Sequence, residues 1–141
     1  MTIAYAVEAD LSADEFVDVL RRSTLAERRP VDDRARIEKM LTGADLIVTA
    51  RDAAGVLVGV ARSVTDFSYC CYLSDLAVDQ ACQGQGIGKA LMKRTRAEVG
   101  QEVTLVLLSA PGAMSFYPHA GLDRFDNCFG LKRPWPDDAT V

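Results

Sequence analysis

A chain of 141 residues, 49% hydrophobic and 26% charged, fits one globular domain with a core of its own. Its net charge of -4 argues against nucleic acid as a partner, because a phosphate backbone calls for a basic face. No run of about 18 apolar residues is present to span a membrane, and "MTIAYAVEADLSADEF" lacks the basic-then-apolar pattern of a secretory leader. The expectation is a cytoplasmic protein with no membrane partner. The cysteines Cys70, Cys71, Cys82 and Cys128 are not spaced as metal ligands, and the single histidine, His119, is remote in sequence from three of them. Reduced thiols and no metal are expected.

In chain order, Ile3–Ala9 alternates as a first strand. Asp10 or Ser12 caps a helix carrying Phe16, Val19 and Leu20, with Glu15 completing a capping box after Ser12. Ser23–Val31 breaks the pattern at Pro30. Asp32 or Asp33 opens a second helix, with Ile37, Met40 and Leu41 inward and Gly43 as its stop. Asp45–Val64 reads as two strands around an Asp52–Gly55 turn, and Tyr69–Val78 as another strand. A glycine loop follows, then a helix over Gly86–Val99 with Ile87, Ala90, Leu91 and Ala97 inward. Val103–Ser109 is apolar enough for a strand buried on both faces. Gly112–Leu122 holds a short helix closed by Gly121, and Asp123–Arg133 a final hairpin around Asp126-Asn127. This is a mixed α/β (α+β) domain over residues 1–133 with one central sheet, followed by a loose tail over 134–141.

"VDQACQGQGIGKAL", Val78–Leu91, carries glycines at 84, 86 and 88 where a strand meets a helix. A helix start offers free N–H groups and a partial positive charge, and glycine clears the way for an anion. A Walker loop is excluded by the spacing from Gly84 to Lys89 and by Ala90 in place of a hydroxyl. A dinucleotide fingerprint is excluded because Gly84–Gly88 is one residue short, and no acidic residue ends the next strand at Ser109-Ala110. A tight turn without ligand is the remaining alternative.

Gln83, Gly86 and Gly88, after Leu76-Ala77-Val78, resemble the acyl-CoA signature Q/R-x-x-G-x-G/A of the GNAT superfamily of N-acetyltransferases. "AMSFYPHAGL" resembles that family's second motif at Ala113, Phe116, Tyr117 and Gly121. The resemblance runs from Ile3 to about Arg133. It implies a mostly antiparallel, mixed, twisted sheet of 6–7 strands, flanked by about four helices, with the fourth and fifth strands splayed. It implies acetyl-CoA as donor, its pantetheine arm along Leu76, Ala77 and Val78. Its pyrophosphate would lie over Gln83, Gly84, Gln85, Gly86, Ile87, Gly88 and Lys89, with Ala90 and Phe116 also at the cofactor. Lys89, Lys93 or Arg94 either meets the 3′-phosphate or forms a solvated helix face. Relatives often pair through sheet edges, so a homodimer is one implied assembly. Three residues depart from the pattern: Leu122 for the usual Phe, Ala110 for an Asn that touches pantetheine, and Pro118 after the tyrosine.

Acetyl transfer needs a neutral amine and a good leaving group. An ammonium of pKa about 10.4 is about 4.6 kcal/mol from neutrality at pH 7, so a base or a wet acidic channel helps. By resemblance, Tyr117 donates a proton to the departing sulfur, or else packs under the cofactor. Asp75 is the only carboxylate in its strand, among Leu73, Leu76 and Ala77, and an acid there is costly to bury without a purpose. It reads as base or amine anchor, or as a structural aspartate bracing the neighbouring loop. Strand alternation puts Tyr72 and Ser74 on the other face, where either could orient a water. Arg28 and Arg29 in "ERRPVDD", and Arg62 in an apolar run, are candidate substrate anchors beside helix-cap charge. The expected acceptor is a primary amine of a small molecule. The alternatives are acetylation of a protein or peptide, and a non-catalytic acyl-CoA-binding module.

Overall fold

The computed structural model describes residues 2–135. Ser12 turns the chain into its first helix, α1 (Ala13–Arg22), by accepting the Glu15 amide on its Oγ at 3.2 Å. Acidic Asp14 and Glu15 lie in the first turn and basic Arg21 and Arg22 in the last, as the helix dipole favours. Asp33 does the same for α2 (Arg34–Thr42), accepting the Arg36 amide at 3.1 Å. A short 3-10 turn, Leu25–Arg28, separates the two helices.

The strands are β1 (Ala4–Val7), β2 (Leu46–Arg51), β3 (Leu57–Thr65), β4 (Cys70–Val78) and β5 (Thr104–Val106), in the spatial order β1-β2-β3-β4-β5. The first four pair antiparallel and β5 joins β4 parallel. Asp52 closes the β2–β3 turn by accepting the Ala54 and Val56 amides. Asp66 shapes the β3–β4 turn by accepting the amides of Tyr69, Ser68 and Cys70, which hold its pKa down at about 2.

Helices α1 and α2 cover one sheet face. Phe16, Leu20 and Ile37 pack there with Ile47, Val60 and Ala77. A third helix, α3 (Ile87–Val99), covers the other. Its inward stripe is Ile87, Leu91, Thr95 and Val99, four residues apart, and Ala97 faces out, contrary to the sequence reading. Gly59 of β3 lets α3 come close: a Cβ there would stand 3.0 Å from Leu91 Cδ1 and 3.2 Å from Ile87 Cγ2.

These strands and α1–α3 lie in residues 2–108; residues from 109 onward form a second unit. That unit holds a 3-10 turn, Pro111–Ala113, and one helical turn, α4 (Phe116–His119). Pro118 sits within the first turn of α4, where no intrahelical N–H bond is lost.

The described residues contain five strands, not the expected 6–7. Asp123–Arg133 forms no hairpin: Phe125, Phe129 and Leu131 are 51%, 92% and 46% exposed, so strand formation gains no apolar burial. β5 is three residues long, not seven, and its residues are exposed or half-buried instead of buried on both faces; among the described residues it pairs with β4 alone. Of the expected tail, residues 136–141 lie outside the described residues.

Replacing Gly59 with Val should push α3 from the sheet and lower stability by about 1–3 kcal/mol, the usual cost of overpacking. Urea unfolding should show a lower midpoint with an unchanged slope; an unchanged midpoint would contradict the close approach.

Candidate active site

β4 loses one neighbour halfway along its length. Its ladder with β5 covers only Cys70–Tyr72 and Thr104–Val106. From Leu73 to Val78, β4 pairs with β3 alone. The Asp79 amide donates to Val58 O across that ladder at 2.8 Å. By antiparallel alternation, the backbone groups of Leu76 and Val78 therefore point to the open edge, while Ala77 turns to β3 and buries its methyl in the α1–α2 core. The ladder between the fourth and fifth strands thus ends at Tyr72 and Val106.

The open edge runs into the glycine loop. Gly84 and Gly86 both have φ +81°, a left-handed conformation that suits glycine, and nothing lies within 4 Å of where a Cβ would stand on either. Gln83 turns back, its Nε2 donating to Val78 O at 3.2 Å. No side chain caps the start of α3, whereas Ser12, Asp33 and Asp79 cap α1, α2 and the Gln80–Cys82 turn. The start of α3 therefore lacks a side-chain cap, and Gln83, Gly84, Gln85, Gly86 and Lys89 around it in sequence are exposed. Ile87 is buried and holds the helix start to the sheet; Gly88 and Ala90 are half-buried.

One carboxylate organises the middle of this strand. Asp75 is fully buried, and its two oxygens accept from Arg29 Nε and Arg62 Nε. Arg62 also donates to Met40 O at 3.2 Å, near the C-terminus of α2, and to Ser74 Oγ at 3.1 Å. Arg29 also donates to Ser74 O and Arg28 O, each at 2.8 Å. Arg62 and Asp75 are direct partners in the β3–β4 ladder, and the register shifts just beyond them. Two consecutive β4 residues, Ser74 and Asp75, thus meet one guanidinium, as a β-bulge permits. The sequence reading put Ser74 and Tyr72 on the face opposite Asp75. The bulge corrects it: Tyr72 pairs with Val64, two residues from Arg62 on β3, and shares that face.

Of the sequence-predicted anchors, Arg29, Arg62, Ser74 and Asp75 come together. Arg28 is exposed one residue away, with no ion pair among the described residues. Arg94 is held by Glu98 at 2.7 Å and by Tyr5 O at 3.3 Å, while Lys89 and Lys93 are exposed. Tyr117 lies in α4, half-buried, with Phe116 edge-on at 5.2 Å; its backbone oxygen accepts the Ala120 and Leu122 amides at 3.0 Å each. Among the described residues no helix is long and apolar enough to cross a membrane, and no cluster of His, Cys, Asp or Glu is arranged to hold a metal.

Asp79 is a residue that sequence reasoning missed. Its Oδ1 caps the turn leading into the glycine loop, accepting the Ala81 amide at 2.9 Å. Its Oδ2 meets Arg22 Nη1 at 2.5 Å, and the same guanidinium donates to Leu57 O. An aspartate after an apolar strand is a recognisable cap signal, but its partner on α1 is 57 residues away. Burial works to raise the Asp79 pKa; the Ala81 amide and the Arg22 guanidinium outweigh it, and the carboxyl ends below its ordinary value.

The family model of an acetyltransferase (GNAT) domain matches residues 11–129. An uncharacterized N-acetyltransferase, ycf52, of Gracilaria tenuistipitata var. liui is 34% identical over 67 residues, 46% of this chain. The match spans only 37% of that relative's length. A protein of unknown function from meticillin-resistant Staphylococcus aureus, SA2161, has a TM-score of 0.77 at 19% identity, over 93% of this chain and 98% of its own. The GNAT family N-acetyltransferase YhbS of Escherichia coli, solved in complex with CoA, has a TM-score of 0.66 at 20% identity, over 86% of this chain and 68% of its own. At such identities the two structures establish a shared fold.

Because the folded-state pKa of Asp79 is depressed, its stabilising contribution is present above the unfolded pKa and lost as pH falls through the folded value. Asp79→Asn should therefore be less stable than the wild type at pH 7, and the gap should narrow below about pH 4. Thermal melts over that range would check it; a gap of constant size would mean that the ion pair contributes nothing.

Proposed function

The chain belongs to the GNAT acetyltransferases, and on that premise we propose that it transfers the acetyl group of acetyl-CoA to the primary amine of a small molecule, by direct attack in a ternary complex. The observation that carries this reading is the open edge of β4, which leads straight into a left-handed glycine loop at an uncapped helix start. The edge groups of Leu76 and Val78 suit the two amides of a pantetheine arm. The N–H groups opening α3 suit a pyrophosphate, with Gly84 and Gly86 leaving room for it.

Tyr117 is the proposed donor of a proton to the departing thiolate, on the strength of its place in the Ala113–Gly121 motif. A phenol of pKa about 10 holds its proton at pH 7. Asp75 takes an anchoring role here in place of the base. Both its oxygens are occupied by guanidinium donors, so it is poorly placed to take a proton from an amine. The amine then loses its proton to water. The same occupancy favours a second reading, a non-catalytic acyl-CoA-binding module. Thiol release across an amine panel separates the two. Release above background supports the enzyme. Background release, with acetyl-CoA still raising the melting temperature, supports the module.

Tyr117→Phe should lower turnover by roughly 10²-fold or more, the scale of lost acid catalysis, with acetyl-CoA affinity little changed; equal turnover would remove it as the acid. Gly86→Val places a branched side chain at φ +81° in the path of the pyrophosphate. Calorimetric titration should detect no acetyl-CoA binding, and an unchanged Kd would refute that placement.

A further inference from the structure

The cluster around Asp75 holds more positive charge than its carboxylate needs. One guanidinium would neutralise Asp75, and two are present. Arg62 is only 7% exposed, so the second cation carries a desolvation cost of several kcal/mol. Its other partners are neutral: Met40 O and Ser74 Oγ. Those of Arg29, Arg28 O and Ser74 O, are neutral too. A guanidinium carries five N–H donors in a planar fork, and these bonds leave donors over on both arginines. Among the described residues Asp75 is the one carboxylate that pairs with either guanidinium, and exposed Arg28 and Glu27 carry opposite charges. Asp45 stands level with Val64, accepts the Thr65 amide at 2.9 Å and keeps its negative charge, with neither guanidinium as a partner.

The cluster is reachable. The Arg29 side chain is 21% exposed. An apolar row follows it on the same face: Val64, Tyr72 and Val106 stand side by side across β3, β4 and β5, each 36% exposed or more. Residues two apart on a strand lie about 7 Å from each other, so the row begins within one small molecule's length of Arg62. Cation and apolar strip together form an amphipathic surface.

We propose that Arg29 and Arg62, held around Asp75 and Ser74, form a receptor for a carboxylate. The acceptor is then an amine that also bears a carboxylate, with an apolar or aromatic body lying on the Val64–Tyr72–Val106 row. A single surplus charge matches the single charge of a carboxylate, and a bare ammonium is repelled from the same place. This rests on the acetyltransfer reading above, but its test does not need turnover.

Phenylalanine and 2-phenylethylamine differ only by the carboxylate, so calorimetric titration of the full chain with each measures its contribution directly. Phenylalanine should bind about tenfold tighter or better, the scale of one charge-assisted hydrogen bond. Arg29→Gln should erase that preference and Arg29→Lys should retain part of it, in variants that circular dichroism shows to be folded even where the loss of an Asp75 partner lowers the melting temperature. Equal binding of the two probes by the wild type, or a preference that survives Arg29→Gln, would overturn the receptor. Thiol release with the same probes keeps the two readings apart. A carboxylate preference without release sinks acetyl transfer and leaves the receptor standing. Release at equal rates, with equal affinities, does the reverse.

Discussion

The buried carboxylate of Asp75 joins four pieces of the chain. Arg62 brings β3 and, through Met40 O, the end of α2; Arg29 brings the connection between α1 and α2; Ser74 and Asp75 are β4 itself. Buried ion pairs seldom add net stability over an apolar packing, since desolvation consumes most of the Coulombic gain. What such a pair does is penalise every arrangement that leaves a charge unmet. In this sheet the penalised alternative is a regular β3–β4 ladder, in which Ser74 would turn away from Arg62. The cluster and the register shift beside it therefore depend on each other.

That shift has consequences along the strand. It switches the face on which Tyr72 stands, so Tyr72 joins Val64 on the face of Arg62 instead of alternating away from it. Beyond Tyr72 the strand keeps only its β3 partner, and its free edge leads to Asp79. There a second guanidinium, Arg22, grips the carboxylate that caps the entry to the glycine loop. Helix α1 thus supplies a cation to the loop end of β4, and the segment after α1 supplies another to its bulged middle. The middle of the strand and its loop end are both tied to one helix and its exit.

Local signals in the sequence were enough for α1, α2 and the Asp52–Gly55 turn, because each rests on a cap or a turn residue within four positions. Ser12 with Glu15, Asp33, and Asp52 with Gly55 are such cases. The glycine loop was legible for the same reason: left-handed backbone at Gly84 and Gly86 is a local demand. The Asp75 cluster was not, since Arg29 and Arg62 reach it across 46 and 13 residues. The bulge was invisible too, because period-two alternation assumes an unbroken register. The last hairpin was over-read at Asp126-Asn127, where turn chemistry is present but the flanking phenylalanines find no burial.

Under the proposed reading, the surplus cation also bears on how an amine becomes a nucleophile without a free base on β4. Ammonium is disfavoured beside positive charge, and each 1.4 kcal/mol of that repulsion lowers its pKa by about one unit. A carboxylate on the same molecule reverses the sign for binding but not for the nitrogen, which lies further from the arginines. The cluster can therefore attract the acceptor by one end and discourage protonation at the other. Asp75, by neutralising one arginine and not two, sets the size of both effects. On that view the aspartate contributes to the reaction by limiting the local charge, and two engaged oxygens are what that task requires.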